Sequence, residues 1–282
     1  MTERNASKTA VGVAMLRAAH QLIDGEPRVL DDTVVVALLG SELIARIHAD
    51  PDRFRAPRSM ALRSHVLLRS RFAEERLREA VARGVTQFVV LGAGLDTFAY
   101  RQPTWASRLR IYEVDHPSSQ AAKRRRLEAA GIALPPNLTY APIDFEHDTL
   151  ESGLARAGFD PVAMTFVSCL GVLVYLTAEA IADLFAFVAR LPAGSECVFT
   201  YGGAHGPEEP GRPSLATVAA DLGEPWISSM EIDDVTAVLA RAGLPAPVLM
   251  SRAAAAAWLG DRTDGLEPPR RERVATVTVE AP

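Results

Sequence analysis

Cysteine is scarce in this chain. Only Cys169 and Cys197 occur among 282 residues, each inside an apolar run, with no C-x-x-C pair and no neighbouring histidine. That argues against a disulfide framework or a thiolate metal site, and two buried thiols in a reducing compartment are expected. The six histidines lack H-x-x-x-H spacing and the acids are scattered, so no metal site is expected either. Long apolar runs are also missing. None approaches the ~18–20 residues of a membrane span, and Met1-Thr2-Glu3-Arg4-Asn5 is not followed by the apolar segment of a secretory signal. A cytoplasmic location away from the membrane is expected. Positive charge is not in excess: 30 Lys and Arg face 35 Asp and Glu, a formal net charge of −5. A nucleic-acid backbone, which calls for a basic face, is not an expected partner. The one basic run, Lys123-Arg124-Arg125-Arg126, falls on an expected helix and reads as a solvated face. There is no internal repeat, and Ala253 to Ala257 is merely good helix-forming sequence. What remains is 48% hydrophobic and 23% charged. That composition suits one large α/β domain, or such a domain with a helical cap.

The stretch Gln87-Phe88-Val89-Val90-Leu91-Gly92-Ala93-Gly94-Leu95-Asp96-Thr97 organises the rest. Four consecutive apolar residues read as a central strand covered on both faces. Gly92 and Gly94 then allow a tight turn and a close approach of the Gly92-Ala93-Gly94 backbone to a ligand. A second apolar segment, Leu109 to Val114, ends at Asp115. That acid lies about 20 residues beyond the glycines, where a βαβ unit places a carboxylate for ribose hydroxyls. Together the two strands describe a pocket for an adenosine-bearing cofactor. Dinucleotide folds prefer a third glycine opening a helix under the pyrophosphate. Here Thr97 takes that position, and Asp96 beside it would oppose a pyrophosphate. The turn leans away from NAD and toward S-adenosylmethionine, whose amino group and sulfonium a carboxylate tolerates.

These blocks, Q-F-V-V-L-G-A-G-L-D-T-F-A-Y-R and then Y-E-V-D-H-P-S-S-Q-A-A-K, resemble the leucine carboxyl methyltransferase family. The closer resemblance is to the bacterial S-adenosylmethionine-dependent methyltransferases grouped with it. L-R-S-R-F-A-E-E-R-L upstream and L-G-V-L-V-Y-L-T downstream match too, so the resemblance runs from about Ser7 to about Gly243. It implies a Rossmann-like class I methyltransferase: an α/β fold with a doubly wound, mainly parallel seven-stranded sheet and an N-terminal helical cap. In the family the arginine of R-S-R-F binds the methionyl carboxylate of the cofactor. Arg69 matches it best, and Arg71 is the neighbouring candidate. Guanidinium and carboxylate suit each other as a planar bidentate pair. Lys8 matches a basic position used near the same end of the cofactor. One departure stands out: many relatives carry glutamate just before the glycine of L-G-V, and this chain has Leu170.

Residues 1–85 are expected to form the cap, with helices near 10–18, 34–47 and 57–82. Residues 86–282 are expected to form the cofactor-binding core, with a lid or substrate segment near 202–230. Strands are expected at 87–91, 109–114, 138–143, 164–169 and 197–201. Two later apolar runs, 247–250 and 274–279, read as an antiparallel edge hairpin.

Asp144-Phe145 follows the third strand. On spacing alone, Asp144 accepting from an adenine amino group and Asp144 capping the next helix are equally good readings. The family uses this pair for adenine, with Phe145 packing on the base. Tyr175 matches a tyrosine on the family's substrate side; the alternative is a half-buried aromatic whose hydroxyl is satisfied by backbone. His205, in the loop Gly202-Gly203-Ala204-His205, is a candidate general base, although lone loop histidines are usually just exposed. The expected activity is in-line methyl transfer from S-adenosylmethionine to a carboxylate, or a hydroxyl, of a small-molecule acceptor. A non-catalytic S-adenosylmethionine-binding protein and an NAD-dependent oxidoreductase are the alternatives.

Overall fold

β1 (Gln87–Leu91) is buried at every position, as an apolar run covered on both faces must be. Successive side chains point to opposite faces. Val89 and Leu91 join one core cluster with Val114, Val167 and Phe199. Phe88 and Val90 join a second with Leu67, Phe72 and Phe166. A sheet with a core on each side is the result. β2 (Arg110–Asp115), β3 (Leu138–Pro142), β4 (Thr165–Cys169) and β5 (Glu196–Thr200) run parallel with β1. β6 (Val248–Leu249) and β7 (Val274–Thr278) complete a seven-stranded sheet of order β3-β2-β1-β4-β5-β7-β6. The computed structural model describes residues 7–144, 147–202, 214–269 and 273–281.

This is the doubly wound, mainly parallel α/β architecture that the sequence implies. The last two strands pair antiparallel at one side of the sheet, as expected: β6 is the edge strand there, and β7 lies one place in, antiparallel to β5 as well. The reason is burial. Val274, Ala275 and Val277 are 0%, 0% and 1% exposed and need cover on both sides, whereas Val248 on β6 is 65% exposed.

α1 (Lys8–Ile23) starts at Ser7, whose Oγ accepts the Ala10 N–H at 3.1 Å. α2 (Thr33–Ala49) starts at Asp32, whose Oδ1 accepts the Val35 N–H at 3.2 Å. Such side-chain acceptors satisfy donors that the first helical turn leaves free. α3 (Pro51–Arg55) and α4 (Pro57–Ala82) both open on proline, which is preorganised for that position. Ala14, Ala18, Val35, Leu38 and Ile47 of the first helices cluster with Leu95 and Leu127 from beyond β1. α4 instead sends Leu67, Leu68 and Leu77 onto Phe88 and Phe166. The chain before β1 therefore both reaches the turn after β1 and covers part of one sheet face.

The later helices are α5 (Pro117–Ala129), α6 (Leu150–Arg156), α7 (Ala178–Ala189), α8 (Leu215–Asp221), α9 (Ile232–Arg241) and α10 (Arg252–Leu259). Between β1 and β2 there is no α-helix. Only two three-residue 3-10 turns, 98–100 and 104–106, fill that connection.

One buried acid fastens α4 to the sheet. Glu196, at the start of β5, is fully buried. It accepts from Arg76 Nε at 2.6 Å, Arg76 Nη2 at 3.0 Å, Arg83 Nη2 at 2.6 Å and Thr276 Oγ1 at 2.7 Å. Removing it strands these donors, although the two arginines are partly exposed and regain some hydration. Glu196→Ala is expected to lower the unfolding free energy by about 2–4 kcal/mol, read as a lower urea midpoint at unchanged slope. A loss under ~0.5 kcal/mol, the scale of an ordinary surface change, would contradict this role.

Candidate functional site

With no helix behind it, the turn after β1 has to be held by side chains. Gly92 and Gly94 adopt φ of 60° and 44°, a region where a Cβ is costly. The Ala93 N–H donates to Val114 O at 3.0 Å and the Asp96 N–H to Ala93 O at 2.7 Å. From the end of β2, Asp115 accepts the Gly94 N–H through Oδ2 at 2.6 Å and the His116 N–H through Oδ1 at 2.7 Å. An ionised carboxylate has about four acceptor positions, so half-buried Asp115 retains capacity for two further donors.

A second carboxylate holds the turn from the other side. Asp32 is fully buried. Thr97 Oγ1 donates to its Oδ1 at 2.8 Å. Arg101 Nε lies 3.4 Å from the same oxygen, and Arg17 Nε lies 3.4 Å from Oδ2. Arg17 also donates through Nη2 to Leu95 O at 2.6 Å, and Arg101 pairs with Glu74 on α4. A buried and a half-buried arginine, one buried aspartate and a threonine thus tie the turn to the N-terminal helices. Nothing in the sequence around Asp31-Asp32-Thr33 announces this beyond a helix cap.

Arg69 on α4 is half-buried, with its guanidinium against the backbone of Gly171 after β4. A Cβ on that glycine would lie 3.0 Å from Arg69 Nη1. Among the described residues Arg69 has no hydrogen-bond or ion-pair partner. Burial lowers its pKa to about 10, helped by the charge of Arg17 and opposed by Tyr175 and Asp96. It stays protonated at neutral pH, a cation within electrostatic range of the β1 turn and without an anion of its own. Leu170 packs partly buried against the cluster holding Phe88 and Phe166 and contributes no charge. Arg71, by contrast, pairs with Glu75 one turn along α4 at 2.6 Å.

Tyr175 stands on the 3-10 turn after β4, and its hydroxyl receives Trp226 Nε1–H at 3.3 Å. Ile227 and Ser228 donate backbone N–H groups to Val174 O at 2.7 and 3.1 Å. Their neighbour Glu224 accepts Ser7 Oγ–H and the Lys8 N–H at 2.8 Å each, and also Thr9 Oγ1–H. The segment around residues 224–228 is therefore a strap from the β4 turn to the start of α1. The Lys8 side chain itself is exposed. Ala10 in turn abuts Gly94, where a Cβ would come within 3.2 Å of it. The sequence places this segment in a lid, but not on these partners.

Asp144 is tied into its own turn. Its backbone carbonyl accepts the His147 and Asp148 N–H groups at 2.9 and 2.7 Å. Its Oδ2 lies 3.1 Å from His147 Nδ1 and 3.9 Å from His116 Nε2. It shares the β2–β3 end of the crevice with Asp115, since Pro142 pairs with Asp115 across the ladder. Phe145 and His205 lie outside the described residues. Among those described, no group of three or more His, Cys, Asp and Glu can hold a metal ion, and no helix is long and apolar enough to cross a membrane. The structure thus gathers Gly92, Ala93, Gly94, Asp115 and Asp144 at the carboxyl ends of β1 to β3. Arg69 and Tyr175 stand at the β4 end, Lys8 joins through α1, and Arg71 turns to Glu75.

The family model described as leucine carboxyl methyltransferase matches residues 10–189. YktD of Bacillus subtilis strain 168, named "Putative S-adenosyl-L-methionine-dependent methyltransferase", is 29% identical over 269 residues, covering 86% of this chain and 88% of that protein. FRAAL3718 of Frankia alni, which carries the same description, is 33% identical over 234 residues, covering 80% of this chain and 78% of that one. Among solved structures, one described as a "putative methyltransferase" from Thermobifida fusca YX superposes with a TM-score of 0.55 at 18% identity, covering 98% of this chain and 96% of that chain. At that identity the likeness speaks for the fold.

The approach of Arg69 to Gly171 generates a prediction. Gly171 has φ of 75° and no room for a Cβ beside Arg69 Nη1. Gly171→Ala is expected to keep the circular dichroism spectrum and to weaken S-adenosylhomocysteine binding about tenfold, ~1.4 kcal/mol, measured by calorimetric titration. An unchanged dissociation constant would show that the placement of Arg69 is unimportant to binding.

Proposed function

The chain belongs to the leucine carboxyl methyltransferase family, and from that premise we propose that its S-adenosylmethionine-dependent methyl transfer is O-methylation of a carboxylate, or else a hydroxyl, of a small molecule. The observation that carries the cofactor half is Arg69: a half-buried, protonated guanidinium beside the β1 turn with no described anion of its own. A planar bidentate partner for a methionyl carboxylate has this form. Asp115, with acceptor capacity left after Gly94 and His116, suits ribose hydroxyls. Asp144 beside it suits the amino group of adenine, with Phe145 proposed to pack on the base. The Gly92 to Gly94 backbone passes close beneath. The connection from β1 to β2 holds no α-helix, so the helix N-terminus that binds a dinucleotide pyrophosphate is missing there. That supports an adenosyl ligand over NAD.

The cofactor supplies a sulfonium methyl already activated for displacement. The protein then has to align an acceptor behind that methyl, exclude water and hold the line of attack. Such alignment can supply on the order of 7–11 kcal/mol of the barrier. Tyr175, oriented by Trp226, and the strap that carries Trp226 are proposed to border the acceptor's place, with His205 a further candidate there. A carboxylate acceptor, with an ordinary pKa near 4, is ionised at neutral pH and needs no proton removed. A hydroxyl needs a base. Arg69 and Tyr175 stand at the β4 end, and a cation there favours the carboxylate.

The product chemistry separates the two acceptors. With methyl-tritiated S-adenosylmethionine and a panel of small carboxylic acids and phenols, the expected product is a methyl ester. It releases volatile methanol in mild alkali, whereas an ether does not. Asp115→Ala is expected to remain folded and to lose methyl incorporation. Base-stable label would move the acceptor to a hydroxyl, and no label from any acceptor would favour a non-catalytic binding protein. Full activity in a folded Asp115→Ala variant would remove the ribose assignment.

A further inference from the structure

The segment from 220 to 229, between α8 and α9, is held down by hydrogen bonds more than by apolar burial. Ala219 and Met230 at its two ends are 3% and 8% exposed, and no residue between them is buried. None of those residues joins any of the three core clusters, and Ile227 is 61% exposed. The attachments are polar. At one end Glu224 Oε2 accepts Ser7 Oγ–H and Oε1 accepts the Lys8 N–H, each at 2.8 Å, and Thr9 Oγ1–H also donates to Oε2. At the other end the Ile227 and Ser228 N–H groups share Val174 O, Ser228 Oγ–H donates to Leu173 O at 2.7 Å, and Trp226 reaches the Tyr175 hydroxyl. Just before Glu224 stands Gly223, with φ of 83° and no described atom within 4 Å of the place a Cβ would take. A glycine with open space around it can absorb a large backbone rotation. Segments with few buried apolar contacts open at far lower free energy than the core.

The two attachments straddle the ligand crevice. The Val174 and Tyr175 end follows β4. The Glu224 end stands on the first turn of α1, and Ala10 of that turn abuts Gly94 after β1. β1 and β4 are neighbours, and the sheet runs outward from them on both sides, to β2 and β3 one way and to β5 the other. That junction is the switch point at which doubly wound sheets bind ligands, outside the carboxyl ends of the strands. We propose that residues 220–229 form a removable cover over this crevice, with Glu224 as its latch on α1, and that the latch releases whenever the S-adenosyl ligand enters or leaves. The inference rests on the methyl-transfer reading for the identity of the ligand and adds a gate to it. Bound ligand and closed cover support each other. A ligand against the Gly92 to Gly94 backbone steadies the start of α1 through Ala10, and that start carries the donors that Glu224 accepts. Glu224 is a gating residue and touches no reacting atom.

The test is amide hydrogen exchange of the full chain, read by NMR, together with the rates at which tritiated S-adenosylhomocysteine binds and leaves. In the ligand-free protein the Ile227 and Ser228 amides are expected to exchange about 100-fold faster than those of β4. Glu224→Ala is expected to speed their exchange about tenfold and to leave the β4 amides unchanged. Thr9→Val removes one donor, spares the rest of the contact and is expected to act in the same direction by less. Added to Glu224→Ala it is expected to do nothing further, because both changes break one contact. S-adenosylhomocysteine is expected to slow the two amides in the wild type. Glu224→Ala is also expected to raise its association and release rates together, so that the dissociation constant moves less than either rate. A residue that merely touched bound ligand would change release alone. Ile227 and Ser228 amides as slow as those of β4, no acceleration in either variant, bound ligand that leaves them unslowed, or faster release at an unchanged association rate would overturn the proposal. Failure of S-adenosylhomocysteine to bind the wild type would instead sink the methyl-transfer reading, and the latch would still be judged by amide exchange in the ligand-free chain.

Discussion

The fully buried carboxylate of Asp32 is the constraint on which the site depends. In a doubly wound fold, the turn after the first strand is usually steadied by the helix it opens. Here no such helix exists, and the glycine turn is instead clamped from two sides. Asp115 takes the Gly94 N–H from β2. Asp32 takes Thr97 and is flanked by Arg17 and Arg101 from the other side. Removing one partner of such a buried set leaves an uncompensated charge, which typically costs several kcal/mol. The N-terminal helices therefore hold the glycine turn and are not an accessory to it. α1 supplies Arg17 and Ala10, α2 begins at Asp32, and α4 supplies Glu74 and Arg69.

Charge is sorted along the crevice. Asp115, Asp144 and Asp96 lie toward β1 to β3, and Arg69 toward β4. In the placement proposed above, the hydroxyls and amino group of the cofactor meet the acidic half and its carboxylate meets Arg69. The strap of Glu224 and Trp226 joins the halves, with one end on the first turn of α1 and the other on Tyr175.

How much of this was legible in the sequence depends on distance along the chain. β1, β2, β4 and β5 were legible because short apolar runs end in glycine or acid, a local signal. Asp115 was legible from its spacing to Gly94, and Arg69 only through the resemblance carried by R-S-R-F. The short helices α3, α6 and α8, of five to seven residues, were not legible, because so few turns leave little periodicity to read. The pairing of β7 with β5 had no signal of its own, because the order of strands in a sheet is not written locally. Asp32 and Glu224 were illegible for a related reason. Each looks like a surface polar residue until a partner as remote as Ser7 is from Glu224 comes beside it.

The most direct test of the central claim is thermal unfolding with S-adenosylhomocysteine, S-adenosylmethionine and NADH in separate samples. A ligand at 100 times its dissociation constant stabilises the native state by ~2.7 kcal/mol, enough to displace the midpoint visibly. The account predicts a higher midpoint with both adenosyl ligands and none with NADH. A shift with NADH alone, or with none of the three, would contradict it.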